Sequence, residues 1–185
     1  MNATTATRNT LAVLVDNEAG VLSRVARLFS GTGYNIESLA VGTPDDPAIS
    51  RITIEVVADD KQINLLSNQL RKLICVHSVK VLKAEHAIRR ELVLIKVMAD
   101  DFGKRNEIIQ IANIFRASII DVSKASLTIA VIGDESEAEA IQNLLAELGI
   151  LELVRTGRVA LERGQYTIDE QTKEKGEFDY GKNVL

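Results

Sequence analysis

Two side-chain amides, Asn17 and Asn35, and one glycine, Gly20, flank a run whose apolar residues recur at helical spacing. A primary amide both donates and accepts hydrogen bonds, and a helix start offers N–H groups that have no intrahelical partner. Together they suit a small carboxylate, such as that of a free amino acid, held by hydrogen bonds and left chemically unchanged. Covalent catalysis asks for a nucleophile with a base and an orienting group, or for paired carboxylates with displaced pKa values. The sequence displays no such constellation. His77 and His86 lack companions at metal-ligand spacing, and Asp45-Asp46, between Pro44 and Pro47, reads as turn. Gly31-Thr32-Gly33 follows a helical run, whereas a dinucleotide fingerprint follows a strand and opens a helix, so it reads as helix termination.

Asn17 and Gly20 also admit a purely structural role, in which Asp16 or Asn17 caps the helix and Gly20 permits a tight turn. The recognition role draws on Asn35, a second amide just beyond the helix, at the start of a strand that two copies of the module could bring together across a dimer interface. A carboxylate would then take the helix-start amides while an ammonium takes carbonyl oxygens from the facing chain. Val21, Leu22 and Ile36 would shape an apolar pocket.

These residues need a frame. Residues 10–15 are apolar almost without interruption, the pattern of a strand covered on both faces, so something must pack on its second side. Val21, Leu22, Val25, Ala26, Leu28 and Phe29 then mark an amphipathic helix that Gly31 and Gly33 end. Residues 35–41 and 50–57 read as strands, joined by a loop, 42–47, that holds both prolines and forms an exposed, stiffened projection. Ile63, Leu66, Leu70 and Leu73 give a second helix, and 76–82 a fourth strand. The order is βαββαβ, a split βαβ sandwich.

The pattern restarts after a brief charged linker around 83–90. Strands at 92–98, 118–122 and 127–132 surround a helical stripe of Ile108, Ile111, Ala112 and Phe115. A second helix follows through Ala138, Ile141, Leu144, Leu145 and Leu148, with edge strands at 151–155 and 159–161. Leu28-Phe29 followed by Asn35-Ile36 is echoed at equal separation by Ile114-Phe115 followed by Asp121-Val122. The expectation is an α+β chain of two tandem ferredoxin-like βαββαβ domains: a flexible N-terminus 1–9, an effector-binding domain 10–84, a second domain 85–164 and a tail 165–185 without periodicity.

The chain has 185 residues, 46% of them hydrophobic, enough for one ordinary domain or two small ones with real cores. A net charge of -4 with scattered basic residues offers no footprint for phosphate backbones or anionic membranes. RNA-recognition modules share this element order but stack bases on aromatic side chains; here aromatics are 4% and the central strands 11–15 and 51–57 carry none. A metallochaperone would want paired cysteines after the first strand, yet Cys75 is the lone cysteine, set between Ile74 and Val76 as a buried thiol would be. The polar opening is too short for a secretory h-region, and no apolar run reaches membrane-spanning length. The expected location is the cytoplasm, or the plastid stroma for an organelle-encoded chain.

Residues 14–25, 33–39, Asp46-Pro47 with 50–54, Arg90-Glu91-Leu92, 113–116 and 119–122 together resemble the small, regulatory subunit of acetohydroxyacid synthase, also called acetolactate synthase. The resemblance runs from about Thr10 to Gly164. It implies an amino-terminal ACT domain that binds a branched-chain amino acid, chiefly L-valine, at a homodimer interface, followed by a second ferredoxin-like domain. It implies a non-catalytic chain without a cofactor of its own, which binds a large subunit carrying thiamine diphosphate, Mg2+ and FAD, raises its activity and confers feedback inhibition. Carried over by position, the effector-binding residues would be Asn17, Gly20, Val21, Leu22 and Asn35, with Ala19 and Ile36 as neighbours. A stand-alone ACT sensor acting on another protein or on transcription is the competing expectation; it would need a helix-turn-helix or a basic surface, and neither is legible. An independent enzyme is a third, to be revived by turnover of pyruvate by the pure chain.

Overall fold

The computed structural model describes residues 6–168. Two compact units emerge: one takes in Met1–Ile88 and Ala160–Leu185, the other Arg89–Val159. The first contains β1 (Thr7–Asp16), α1 (Val21–Thr32), β2 (Ile36–Gly42), β3 (Ile49–Ala58), α2 (Asp60–Arg71) and β4 (Val76–Leu82), in an antiparallel sheet of order β2-β3-β1-β4. A 3-10 turn, Ala84–His86, then leads into β5 (Ala87–Met98), followed by α3 (Phe102–Ile114), β6 (Ser118–Val122), β7 (Ser126–Gly133), α4 (Glu135–Ala146) and β8 (Ile150–Arg155). Their sheet order, β6-β7-β5-β8, repeats that of the first unit, and a last strand, β9 (Val159–Glu162), pairs with β5 off this path.

The apolar run of β1 explains its position. Leu11, Val13 and Val15 face Val21, Val25 and Phe29 of α1 and Ile63, Leu66 and Leu70 of α2, all buried in one core. Alternate residues point the other way, and there Ala12 and Leu14 pack with Leu82, Ala87, Ala160 and Ile168 in a separate cluster. The cover that a doubly apolar strand demands is therefore the chain's own segment 160–168. In the second unit Val93, Ile95 and Val97 of β5 play the inward part, against Ile108, Ala112, Ile141 and Leu145. Cys75 is buried as expected, beside a buried Val76, although Ile74 on its other side is fully exposed.

Several boundaries differ from the sequence pattern. Thr7, Arg8 and Asn9, assigned to a flexible terminus, pair with Ala58, Val57 and Val56, because β3 is long enough to template them. Gly31 lies inside α1, and Gly33 alone forms the C-cap, its N–H bonded to the Phe29 carbonyl at 3.1 Å. Residues 160–164 group with the first unit rather than the second, drawn there by the apolar cluster around Ala160 and by Arg51, whose Nη2 donates to the Ala160 carbonyl at 2.7 Å. The chain thus leaves the first unit after Ile88 and re-enters it at Ala160, where a single linker at 83–90 was expected. The echo of Phe29 in Phe115 is not a structural equivalence: Phe29 is a core residue within α1, whereas Phe115 is the C-cap of α3 and only partly buried. The repeat resides in topology. Of the tail, residues 165–168 are described, with Ile168 buried; 169–185 lie outside the described residues, as do 1–5 at the other end.

Three helices begin on an aspartate that caps them. Asp59, Asp101 and Asp134 accept from the backbone N–H of Gln62, Lys104 and Glu137, at 2.8, 2.8 and 3.1 Å. At α4 the box is reciprocal, since Glu137 Oε2 accepts from the Asp134 N–H at 2.9 Å. Gly133 makes room for it: a Cβ there would stand 2.9 Å from Glu137 Oε2 and 3.0 Å from Glu137 Cβ. The Ser136 hydroxyl, then the Glu137 amide, holds the Asp134 carboxyl below its ordinary pKa. Asp134→Ala should cost about 1 kcal/mol of stability at neutral pH. A carboxyl with a depressed folded pKa contributes above its unfolded pKa and stops contributing as pH falls through the folded value. The gap between wild type and variant in urea unfolding should therefore shrink on acidification; a gap that persists in acid would deny the carboxylate its capping role.

Candidate functional site

The fourth helix, α1, is the exception. Its N-cap is Gly20, in the left-handed region at φ 85 and ψ -7, no side chain caps it, and its first turn contains no acidic residue. The Val21 N–H reaches the Glu18 carbonyl at 3.3 Å, and the first helical bond runs from Arg24 N–H to Gly20 O at 3.1 Å. Between them, the amides of Leu22 and Ser23 meet no acceptor among the described residues. Unpaired N–H groups at the positive end of the helix dipole make a place where an anion is favoured.

Neither Asp16 nor Asn17 caps the helix, because both side chains are engaged elsewhere. Asp16 Oδ1 lies 2.6 Å from His77 Nε2, across the sheet on β4. Asn17 is tied to the loop before β3: its backbone N–H donates to Ala48 O at 2.7 Å, Nδ2 donates to Pro47 O at 2.9 Å, and Oδ1 accepts from Ser50 Oγ at 2.9 Å. Asn17, Ala19 and Gly20 are exposed, Val21 is buried in the core and Leu22 is exposed. These five line the β1–α1 turn.

Asn35 and Ile36 fall apart from them. They follow the far end of α1, whose twelve residues rise about 18 Å. Asn35 is exposed, and Ile36 opens β2, an edge strand with a register shift between Ile36 and Ser38. Within one chain the predicted residues form two groups, one at each end of a helix. Sequence reasoning saw a turn at Asp45-Asp46 but missed its contact with Asn17, along with Ser50 and the Asp16–His77 pair; the Asp46-Pro47 step, three residues before Ser50 in a loop returning toward β1, was the available signal for the first two.

Elsewhere, a cavity of 340 Å³ in the second unit is lined by Arg89, Arg90, Glu139 and Arg158 among others. Its buried charges are already matched, Arg158 to Glu135 and, beside it, Glu91 to Arg155 at 2.7 Å. No group of three or more metal-ligating side chains occurs among the described residues. No helix there is long and apolar enough to cross a membrane. The sheet face on which an RNA-binding module of this topology would stack bases is covered in the first unit by segment 160–168.

A βαββαβ unit with an open, glycine-started first helix and a free edge at β2 defines an ACT-type module, here followed by a second copy of the same topology. Residues 11–78 match the family model described as AHAS small subunit-like ACT domain, and residues 90–164 that of the small subunit of acetolactate synthase. The chain is 49% identical over 158 residues to a probable acetolactate synthase small subunit of Archaeoglobus fulgidus, covering 85% of this chain and 98% of that one. It is 47% identical over 156 residues to the acetolactate synthase small subunit of Mycobacterium bovis, covering 84% and 92%. The crystal structure of the small subunit from Thermotoga maritima superposes with a TM-score of 0.81 at 39% identity, covering 86% of this chain and 99% of that one. The chain belongs to the acetolactate synthase small-subunit family.

Proposed function

We propose that this chain is the valine-sensing regulatory subunit of an acetolactate synthase, binding a catalytic large subunit, raising its activity and imposing feedback inhibition. The observation that carries the proposal is the uncapped start of α1 at Gly20, within an ACT module of this family. The amides of Leu22 and Ser23 would take the amino-acid carboxylate. Asn35 and Ile36 of a second copy would complete the site, since α1 holds the two groups of residues apart in one chain. The edge position of β2 supports that pairing: beyond Glu37 and the irregularity between Ile36 and Ser38, residues 39–42 form a regular open edge without charge or proline. Thiamine diphosphate, Mg2+ and FAD would stay with the large subunit, and this chain would take no part in the bond-making steps.

Regulation needs only that valine favour one arrangement of the paired modules. Coupling free energies of about 1 to 3 kcal/mol give roughly 5- to 150-fold changes. Titration calorimetry of the purified chain should show saturable binding of L-valine, weaker binding of L-leucine and none of D-valine, with a dimer in light scattering. Absence of L-valine binding both to the chain and to its complex with the large subunit would overturn the reading.

A further inference from the structure

We propose that Ser50 and the turn at 46–49 are positioning elements of the effector site, holding Asn17 in the one orientation that leaves it able to meet a ligand; the inference rests on the valine-sensing reading above. The turn is built from its sequence. Asp46 stands at the first position and Pro47 at the second, where its fixed φ is already that of the turn. The turn closes through Ile49 N–H to Asp46 O at 3.1 Å, and Asp46 Oδ1 accepts from Ala48 N–H at 2.9 Å. That geometry presents two successive carbonyls, Pro47 O and Ala48 O, to Asn17.

The orientation of the Asn17 amide is then forced. A carbonyl oxygen only accepts, so Nδ2 must face Pro47 O, and Oδ1 must face Ser50, whose hydroxyl donates. Ser50 is itself buried and fixed by strand pairing opposite Val15, so the hydroxyl sits on the rigid sheet rather than on the loop. An amide has two N–H donors and two acceptor lone pairs; the clasp uses one of each and leaves one of each. Without it the Asn17 side chain can rotate, and the β1–α1 turn that carries Ala19 and Gly20 keeps only its backbone tie, Asn17 N–H to Ala48 O, beyond the end of β3 pairing.

Calorimetric L-valine affinity is the measurement, with thermal unfolding of each variant beside it. Ser50→Ala should weaken binding about 5- to 10-fold, the size of one net hydrogen bond, and Ser50→Thr, which keeps the hydroxyl, should restore it. Asp46→Ala should weaken binding several-fold and Asp46→Asn, which keeps the turn acceptor, should not. Asp46 is exposed, so this second pair decides the matter if Ser50→Ala fails to fold. Wild-type affinity in both alanine variants would overturn the positioning role while leaving the sensor intact. A wild-type chain that binds no L-valine, alone or in complex, would instead remove the reading on which the role rests.

Discussion

Gly20→Asp should abolish inhibition by valine while the chain still folds. The backbone at Gly20 is left-handed, at φ 85, and an L-residue there costs on the order of 1 to 2 kcal/mol. A Cβ would meet nothing within 4 Å, so the cost is strain without a clash. The carboxylate is the larger effect. It would stand beside the amides of Leu22 and Ser23, in the place proposed for the ligand's own carboxylate, where two negative charges about 4 Å apart repel by roughly 4 kcal/mol at a surface-like effective dielectric. L-valine affinity should fall at least about 100-fold, and inhibition of the reconstituted enzyme should vanish at concentrations that inhibit wild type. Gly20→Ala separates the two causes, since it pays the same backbone strain and adds no charge. It should retain binding within about tenfold. Normal inhibition of the Gly20→Asp enzyme would sink the site assignment.

How much of this was legible beforehand follows from what each residue's neighbours are. The alternation of Ile52, Ile54 and Val56 and the helical stripe of Val21, Val25 and Phe29 state a strand and a helix locally, and both formed, because each pattern is satisfied by a single face. The uninterrupted run at 11–15 announced a cover on the second face of β1 without naming it. Its occupant, segment 160–168, is more than 140 residues away, and nothing in Ala160 or Ile168 signals a preference for one sheet over another. Asn17 and Gly20 were recognisable as a turn with spare polarity. Whether Asn17 would cap the helix was not, because the answer depends on Pro47, Ala48 and Ser50, which β3 delivers to it. The false echo of Phe29 in Phe115 has the same origin: equal spacing along the chain does not guarantee equal phase on a helix, and α3 ends where α1 still has a turn to run.

That distant cover carries the second large effect, in Lys80→Ala. Lys80 projects from β4 on the face away from the helices, where it pairs with Glu162 and donates from Nζ to the Thr167 carbonyl at 3.0 Å; both charged residues are buried. On the same face the Arg51 guanidinium, its pKa lowered by burial, donates to the Ala160 carbonyl. Besides the pairing of β9 with β5 and the Arg163 N–H donated to His86 O at 2.8 Å, the segment that joins the second unit back to the first is thus held by two cations and a small apolar cluster. Removing Lys80 takes from the buried Glu162 carboxylate the cation it pairs with, and breaking one half of a buried pair typically costs about 3 to 5 kcal/mol. For a unit of this size the unfolding midpoint should drop by at least about 12 °C. The cause can be separated from simple loss of bulk. Replacing both partners, as Lys80→Met with Glu162→Leu, removes the charge and keeps the volume, and such exchanges are commonly neutral or stabilising. The double variant should therefore regain most of the lost stability. If Lys80→Ala unfolds within about 1 kcal/mol of wild type, the segment is held by its strand pairing to β5 and its apolar contacts at Ala160 and Ile168, and the ion pair contributes little to closing the sheet's second face.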